Sequence, residues 1–462
     1  MKILFAVAEC LPFIKTGGLA DVAGALPRLL AARGHEVRVI MPGFGKIDRE
    51  RFGFTPGDPF TVNHMGSDVE LGLMESGFVP GVKTALVLSE SLYGRENLYG
   101  EPDDQHRFTI FCKACMAYMF NRGWFPDIVH CHDWHTALLP VFLRTAAEYD
   151  PVWRKTRSVF TIHNLGYQGV FPREAVRDAG LDESLFSPDC MEHWGQANFM
   201  KGAIVFADKI TTVSPAYAKE ILTPEFGEGL EGILGTREKD ITGIINGIDY
   251  GAWGPERDMA IAARYSRLRP AGKEVCKKEL LRSLGLDPER KGPVFGIVSR
   301  LCRQKGIDAL IEPMRDLLSH SDSAFIVQGT GDKEYEDMTA ALCSAFPEQA
   351  RHIARYSEAS ARRVYAGSDV FLMPSRYEPC GLSQMIALAY GTIPFVHKTG
   401  GLSDTVFDVD GGSGKPNGFV FEPLGEDAVR ENLWRAYFKY KNSPEEWQAL
   451  RDSAFACRYT WD

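Results

Sequence analysis

Two cationic side chains at one apolar segment's end carry the strongest chemical signal in the sequence. Arg300 and Lys305 lie in SRLCRQKG (299–306), immediately after the β-rich run VFGIVS. An Arg fork and a Lys point charge at a strand end suit a diphosphate, whose negative charge grows as a nucleoside diphosphate departs. Glu378 follows the run DVFLM within PSRYEPCGL (374–382), flanked by Pro379 and Gly381. A carboxylate there can accept hydrogen bonds from sugar hydroxyls. The pentapeptide KTGGL occurs twice, at 15–19 and 398–402. Each copy precedes a helix-like segment, so each is expected to present free backbone N–H groups to an anion.

Two segments invite a metal reading. In HCHDWH (130–135), His130 and His132 share one face of a strand while Asp133 turns away, and the spacing departs from that of binuclear hydrolases. A hydrogen-bonding cluster is the expectation. The triplet Asp408-Val409-Asp410 lies in DVDGGSGKPNG, which reads as a Gly-rich surface loop. No metal site and no cofactor are therefore expected. The sequence lacks a G-x-G-x-x-G after its first strand and a G-x-S-x-G elbow, the fingerprints of dinucleotide oxidoreductases and α/β-hydrolases.

These groups need a scaffold, and the apolar pattern supplies one. The runs ILFAVA, EVRVIM, IVHC, SVFTIH and KITTVS, then VFGIVS, AFIVQG, DVFLMP and TIPFVH, alternate with helix-like segments. That alternation predicts an α/β chain of parallel sheets with crossover helices. The polar loops sit just after the runs, and open parallel sheets bind ligands outside their strand C-terminal ends, so a binding cleft is expected there. The series runs twice. The stretch from Asn246 to Arg269 carries turn residues and no strand-like run, which sets the expected domains at 1–245 and 246–462.

At 462 residues the chain exceeds what one hydrophobic core usually serves. It carries 52 Lys and Arg against 61 Asp and Glu, a net charge of −9, which argues against nucleic acid or an anionic membrane as the main partner. Ten cysteines, scattered apart from the C-x-x-C spacing of Cys112 and Cys115, form no dense framework and suggest thiols in a reducing compartment. The first residues read as a buried strand rather than a signal peptide, and no apolar stretch approaches bilayer length, so a cytoplasmic protein is expected.

Taken together, KTGGLADVAGALP (15–27), HDWH (132–135), TIHNLGYQG (161–169), NGID (246–249), SRLCRQKG, PSRYEPCGL and TGGLSDT (399–405) closely resemble bacterial glycogen synthases and plant starch synthases. The resemblance spans nearly the whole chain. It implies a GT-B fold, two Rossmann-like doubly wound domains facing across a cleft, and retaining transfer of glucose from ADP-glucose to an α-1,4-glucan such as glycogen or a maltooligosaccharide. By that resemblance Lys15, His163, Arg300, Lys305 and Glu378 form the catalytic set. Lys15, Gly17, Gly18 and Asp21 belong to the donor side, with Asn246, Arg300, Lys305, Glu378, Cys380, Gly381 and Leu382. Gly400 and Gly401 would offer N–H groups to phosphate, and Tyr356 would meet the nucleobase. Asp133, His163 and Asn164 would line the acceptor side.

The match has two departures. Many related transferases carry a second glutamate eight positions after the first, where this chain has Ile386. The family pattern also continues beyond Trp461-Asp462 through a helical tail that crosses back to the N-terminal domain, so domain docking and full activity are expected to depend on that tail. A UDP-glucose-dependent transferase and a catalytically weak glucan-binding protein remain open readings of the residues alone.

Overall fold

The computed structural model describes residues 1–411 and 414–461; Gly412, Ser413 and Asp462 lie outside the described residues. The chain divides into two compact units, Met1–Ile244 with Trp461 and Ile245–Thr460.

The first unit holds strands β1 (Lys2–Ala6), β2 (Glu36–Pro42), β3 (Thr55–His64), β4 (Ser67–Ser76), β5 (Val82–Leu88), β6 (Ile128–His132), β7 (Arg157–Ile162), β8 (Val170–Phe171), β9 (Glu192–His193), β10 (Gln196–Asn198), β11 (Lys209–Thr212) and β12 (Ile241–Gly243). Nine of them form one sheet in the order β12-β11-β7-β6-β1-β2-β5-β4-β3, and β8-β10-β9 form a small antiparallel sheet. β1 lies between β2 and β6 and pairs with both in parallel. Chain order runs outward from β1 through β2 and outward again from β6, so the β1/β6 boundary is a topological switch point. The expected parallel sheet holds except for β4, which pairs antiparallel with β3 and β5. The reason is local: Met65 and Gly66 both take positive φ and close a two-residue hairpin, a link that only antiparallel strands can use.

The second unit holds β13 (Val294–Val298), β14 (Ala324–Gln328), β15 (Ala350–Ile353), β16 (Val370–Met373), β17 (Ile393–His397) and β18 (Phe419–Phe421). All pairings are parallel, in the order β15-β14-β13-β16-β17-β18. Counted within the unit this is the doubly wound order, with its switch point between β13 and β16. Every residue of β13, β14 and β16 is buried, as strands covered by helices on both faces must be. The helix Ile307–His320 shows how the covering works. Its buried Ile307, Leu310, Ile311, Met314, Leu317 and Leu318 recur at helical spacing and seal against Phe295, Ile297, Phe325 and Val327 of the sheet.

The loop after β13 is pinned to the loop after β16. Gly306 sits at φ +66, and a Cβ there would lie 1.9 Å from the carbonyl oxygen of Pro374. The Arg376 N–H donates to the Gln304 carbonyl at 2.8 Å, and Gln304 Nε2 donates to the Tyr377 carbonyl at 3.2 Å. Gly306→Ala should therefore lower the unfolding free energy by about 1–3 kcal/mol, through overpacking against Pro374 and a strained φ. Denaturant unfolding checks this; an unchanged midpoint would show that the two loops are not packed as described.

Candidate functional site

In the second unit the clamp between these loops delivers two of the expected catalytic groups to each other. Lys305 Nζ lies 2.6 Å from Glu378 Oε2, and the same oxygen accepts from Ser375 Oγ at 3.0 Å. Glu378 is buried, 7% exposed, so its charge is matched by a lysine rather than by water. A second ion pair, Arg376 to Asp308 at 2.6 Å, ties the Glu378 loop to the first turn of the helix Ile307–His320. Arg300 is exposed on the same loop as Lys305, one residue past Ser299. Lys305 and Glu378 thus meet at the β13/β16 switch point, with Arg300 at the start of the same loop.

Around Glu378 the remaining residues of the expected donor side are largely structural in their contacts. Cys380 is buried, which pushes its thiol up, and the nearby Asn246 backbone opposes that rise, placing Asn246 beside the Glu378 loop. Gly381 adopts φ +72 ahead of Leu382 and the helix Ser383–Ala389. Gln384 Nε2 donates to the carbonyls of Cys380 and Gly381 at 2.9 and 3.0 Å, holding that turn. Tyr356 is exposed just beyond β15, at the same end of the sheet.

The expectation of free N–H groups in both KTGGL loops needs correction. The Gly401 N–H donates to the Glu378 carbonyl at 3.0 Å, so it is already spent within the protein. Gly401 has another reason to be glycine: a Cβ would lie 2.2 Å from the Cys380 carbonyl oxygen. Gly400 begins the helix Gly400–Thr405, and together the pair lets that helix abut the Glu378 loop. In the other copy, the N–H groups of Thr16 and Gly17 both point to the carboxylate of Glu9, Gly17 at 3.3 Å. Thr16 Oγ1 adds a bond of 2.7 Å to the same oxygen. Gly17 caps the helix Gly18–Ala32, and Lys15 Nζ is drawn back to Asp21 Oδ2 in the first helical turn at 2.7 Å.

Glu9 is the residue that sequence reasoning missed. It is 3% exposed, and burial pushes its carboxyl up while the Thr16 and Gly17 bonds oppose that rise. The signal was present: a lone acidic residue closing the first apolar run, just ahead of a Gly-rich loop.

At the other side of the β1/β6 switch point stands Asp133, the residue after β6. Its backbone is at φ +52 and ψ −176, a region that non-glycine residues rarely occupy. What it gains is reach. Asp133 Oδ1 accepts the N–H groups of His163 at 2.7 Å and Asn164 at 3.4 Å, fixing the loop after β7. Asn164 Oδ1 in turn accepts the Gly166 N–H at 3.0 Å. His163 Nε2 contacts His132 Nδ1 at 3.0 Å, and His130 Nε2 contacts Thr161 Oγ1 at 2.6 Å. Burial pushes His163 down to about 3 and His130 to about 4, so these imidazoles are neutral hydrogen-bonding groups near pH 7.

Among the described residues no group of three or more His, Cys, Asp or Glu side chains could hold a metal ion. The Asp408-Val409-Asp410 triplet is occupied by the protein itself: Arg435 pairs with Asp408 and, at 2.6 Å, with Asp410. Asp408 also accepts the N–H groups of Val420 and Asp410 at 2.8 and 2.9 Å.

Comparison with known proteins agrees with this two-part arrangement. The family described as Starch synthase catalytic domain matches residues 2–236, and Glycosyl transferases group 1 matches residues 285–445. A glycogen synthase of Geotalea uraniireducens is 43% identical over 100% of this chain and 96% of its own length. One of Thermotoga maritima is 40% identical with the same coverage. The chain belongs to the glycogen and starch synthase family. The catalytic domain of starch synthase IV from Arabidopsis thaliana, solved bound to ADP and acarbose, superposes with a TM-score of 0.92 at 33% identity, covering 100% of this chain and 96% of that one. Sucrose-phosphate synthase from Thermosynechococcus elongatus, at 17% identity and a TM-score of 0.61, shares the fold.

As a member of this family the chain is a glycosyltransferase of the GT-B fold, and its departure at Ile386 has a structural meaning. Ile386 is buried on the helix Ser383–Ala389, where a second carboxylate would have to be desolvated. No helix among the described residues is long and apolar enough to cross a membrane.

The environment of Asp133 yields a pH prediction. Desolvation raises its carboxyl from 3.8 to about 7, against the two backbone N–H bonds that lower it, with the Glu9 charge adding to the rise. The folded state therefore holds a proton that the unfolded chain has released between about pH 4 and 7. Stability falls as pH rises through that window and levels off above it. Asp133→Asn removes the titration, so the wild-type Tm should fall relative to that of the variant from pH 4 to pH 7. Parallel Tm curves across that range would contradict the assignment.

Proposed function

We propose that this chain transfers glucose from ADP-glucose to the non-reducing end of an α-1,4-glucan, with retention of anomeric configuration. The observation that carries the reading is the part-buried Lys305–Glu378 contact at the β13/β16 switch point, with Arg300 on the same loop. Cations there would meet a departing diphosphate while the adjacent carboxylate addresses sugar hydroxyls. The ADP and acarbose bound by the starch synthase IV domain are a nucleoside diphosphate and an oligosaccharide-like ligand, which supports the same pairing. Tyr356 is the proposed neighbour of the base. Lys15, with Gly17, Gly18 and Asp21, is proposed to cover the donor.

The proposed chemistry is same-face attack. The C1–O bond to the diphosphate lengthens, and its electron pair stays with the phosphate oxygen. That oxygen takes the proton of the acceptor hydroxyl, whose oxygen forms the new bond to C1. ADP departs bearing the charge that Arg300 and Lys305 stabilise. A double displacement would need a carboxylate free to attack the opposite face. Glu378 is paired with Lys305, and Asp133 is engaged with the His163 and Asn164 amides, which favours the direct route. Neutral His163 and Asn164 are proposed to hydrogen-bond the transferred glucose and the acceptor. With two cationic side chains on one loop, no metal and no other cofactor are proposed. The ten free cysteines support a cytoplasmic setting.

The direct test supplies ADP-glucose or UDP-glucose with and without glycogen and measures the nucleoside diphosphate released. Primer-dependent release of ADP and growth of an α-linked glucan are expected; consumption of neither donor would refute the reading. Arg300→Ala should lower turnover by about 10²–10³ with little loss of stability, because Arg300 is exposed. Lys305→Ala cannot be read as cleanly, since it also strands the buried Glu378 carboxylate. Exhaustive chelation should leave the rate nearly intact, and a strict requirement for Mg²⁺ or Mn²⁺ would overturn metal independence.

A further inference from the structure

The β9–β10 hairpin puts a tryptophan where a tryptophan is costly. Trp194 and Gly195 form its two-residue turn, at φ +54 and φ +79. Two successive positive φ values mark the turn type that favours Asn, Asp or Gly first, because a bulky side chain at positive φ crowds its own backbone. Packing does not offset that cost: Trp194 is 84% exposed, and among the described residues its ring neighbour is His193, edge-on at 5.8 Å.

The hairpin is nevertheless firmly held. The Gly195 N–H donates to Glu192 Oε1 at 2.7 Å, and Lys201 Nζ donates to the Glu192 carbonyl at 2.6 Å. Asn198 Nδ2 donates to Gln168 Oε1 at 2.6 Å, and the N–H groups of Phe199 and Met200 donate to the carbonyls of Gly169 and Gln168 at 3.0 and 3.1 Å. These bonds fasten the hairpin to the loop after β7 that carries His163 and Asn164. An exposed indole on a strained, hydrogen-bonded turn is thus tied to the segment assigned to the acceptor.

We propose that Trp194 is a stacking platform for the acceptor glucan, holding a glucose unit away from the point of transfer. The assignment rests on the glucosyltransferase reading above. The chemistry selects this ligand: a pyranose offers a flat C–H face to the indole and hydroxyls to the polar groups at its rim. Glu192 accepts from the Gly195 amide in the turn, Glu231 acts on the adjacent His193, and Lys201 is turned inward to the carbonyls of Pro188 and Glu192, so a phosphate or nucleic-acid strand would be repelled. A neutral polysaccharide is not.

Trp194→Asn tests the proposal without endangering the fold, because asparagine suits the turn; its Tm should equal or exceed that of the wild type. In gels cast with glycogen and without donor, the wild type should be retarded and Trp194→Asn much less so, with Trp194→Phe restoring part of the effect. In assays, Trp194→Asn should raise the KM for glycogen about five- to tenfold, while the KM for ADP-glucose and kcat at saturating glycogen stay unchanged. Equal retardation and equal glycogen KM in the two proteins would overturn the platform, whatever the activity. A change confined to sedimentation behaviour would also overturn it, by showing a protein contact instead. A wild type that is retarded by glycogen in a Trp194-dependent way yet consumes neither donor would refute the transferase reading and leave the platform standing.

Discussion

A lysine and a buried glutamate from neighbouring strand ends share one contact, and the second unit is arranged to keep them there. Desolvating either charge alone would be costly, so the loop after β13 and the loop after β16 must arrive together. Gly306 lets the backbones approach, Gln304 and Arg376 stitch them, and Asp308 anchors the far side. The switch point between β13 and β16 makes this possible, since only there do adjacent strands send their loops to opposite sides of the sheet and leave a crevice. Glu378 is thereby held in one orientation, which is what a group that must recognise hydroxyls needs.

The first unit meets the same need by burial and strain rather than by an ion pair. Asp133 takes an unfavourable backbone conformation and uses its carboxylate to fix two amides of the next loop. Its surroundings keep His130, His132 and His163 uncharged, so the polar row acts through hydrogen bonds and not through cationic charge. Glu9 performs a comparable service across the same switch point by gathering the amides of Thr16 and Gly17. Carboxyl groups thus organise the loops of one unit, and cations dominate the exposed chemistry of the other.

Much of this was legible in the sequence, for reasons that differ by residue. Buried parallel strands read as plain apolar runs, so β13, β14 and β16 were visible, and with them the positions of Arg300, Lys305 and Glu378. The β3–β4 hairpin was not, because β3 is mostly exposed, β4 is polar at its start, and the turn carries Met65 ahead of Gly66 instead of the usual Asn or Asp. From sequence alone Gly401 looks like an N–H donor to phosphate, because glycine pairs ahead of helices serve anions in many folds. Its N–H partner is a carbonyl distant in sequence, which spacing cannot reveal. Glu9 escaped for the same reason, since its role depends on a loop folding back over it. The Arg435 that fills the Asp408-Asp410 pair lies on another helix, Glu426–Asn442, so no local pattern announces it.

The central claim is that Lys305 and Glu378 act as one unit, and a double-mutant cycle measures that directly. Lys305→Met, Glu378→Gln and the double variant would be compared by kcat/KM for ADP-glucose at saturating glycogen. If the pair is a single device, the double variant should be little worse than the poorer single variant, because removing either partner already disables the other. Losses that simply multiply would contradict the account and assign the two residues to independent tasks.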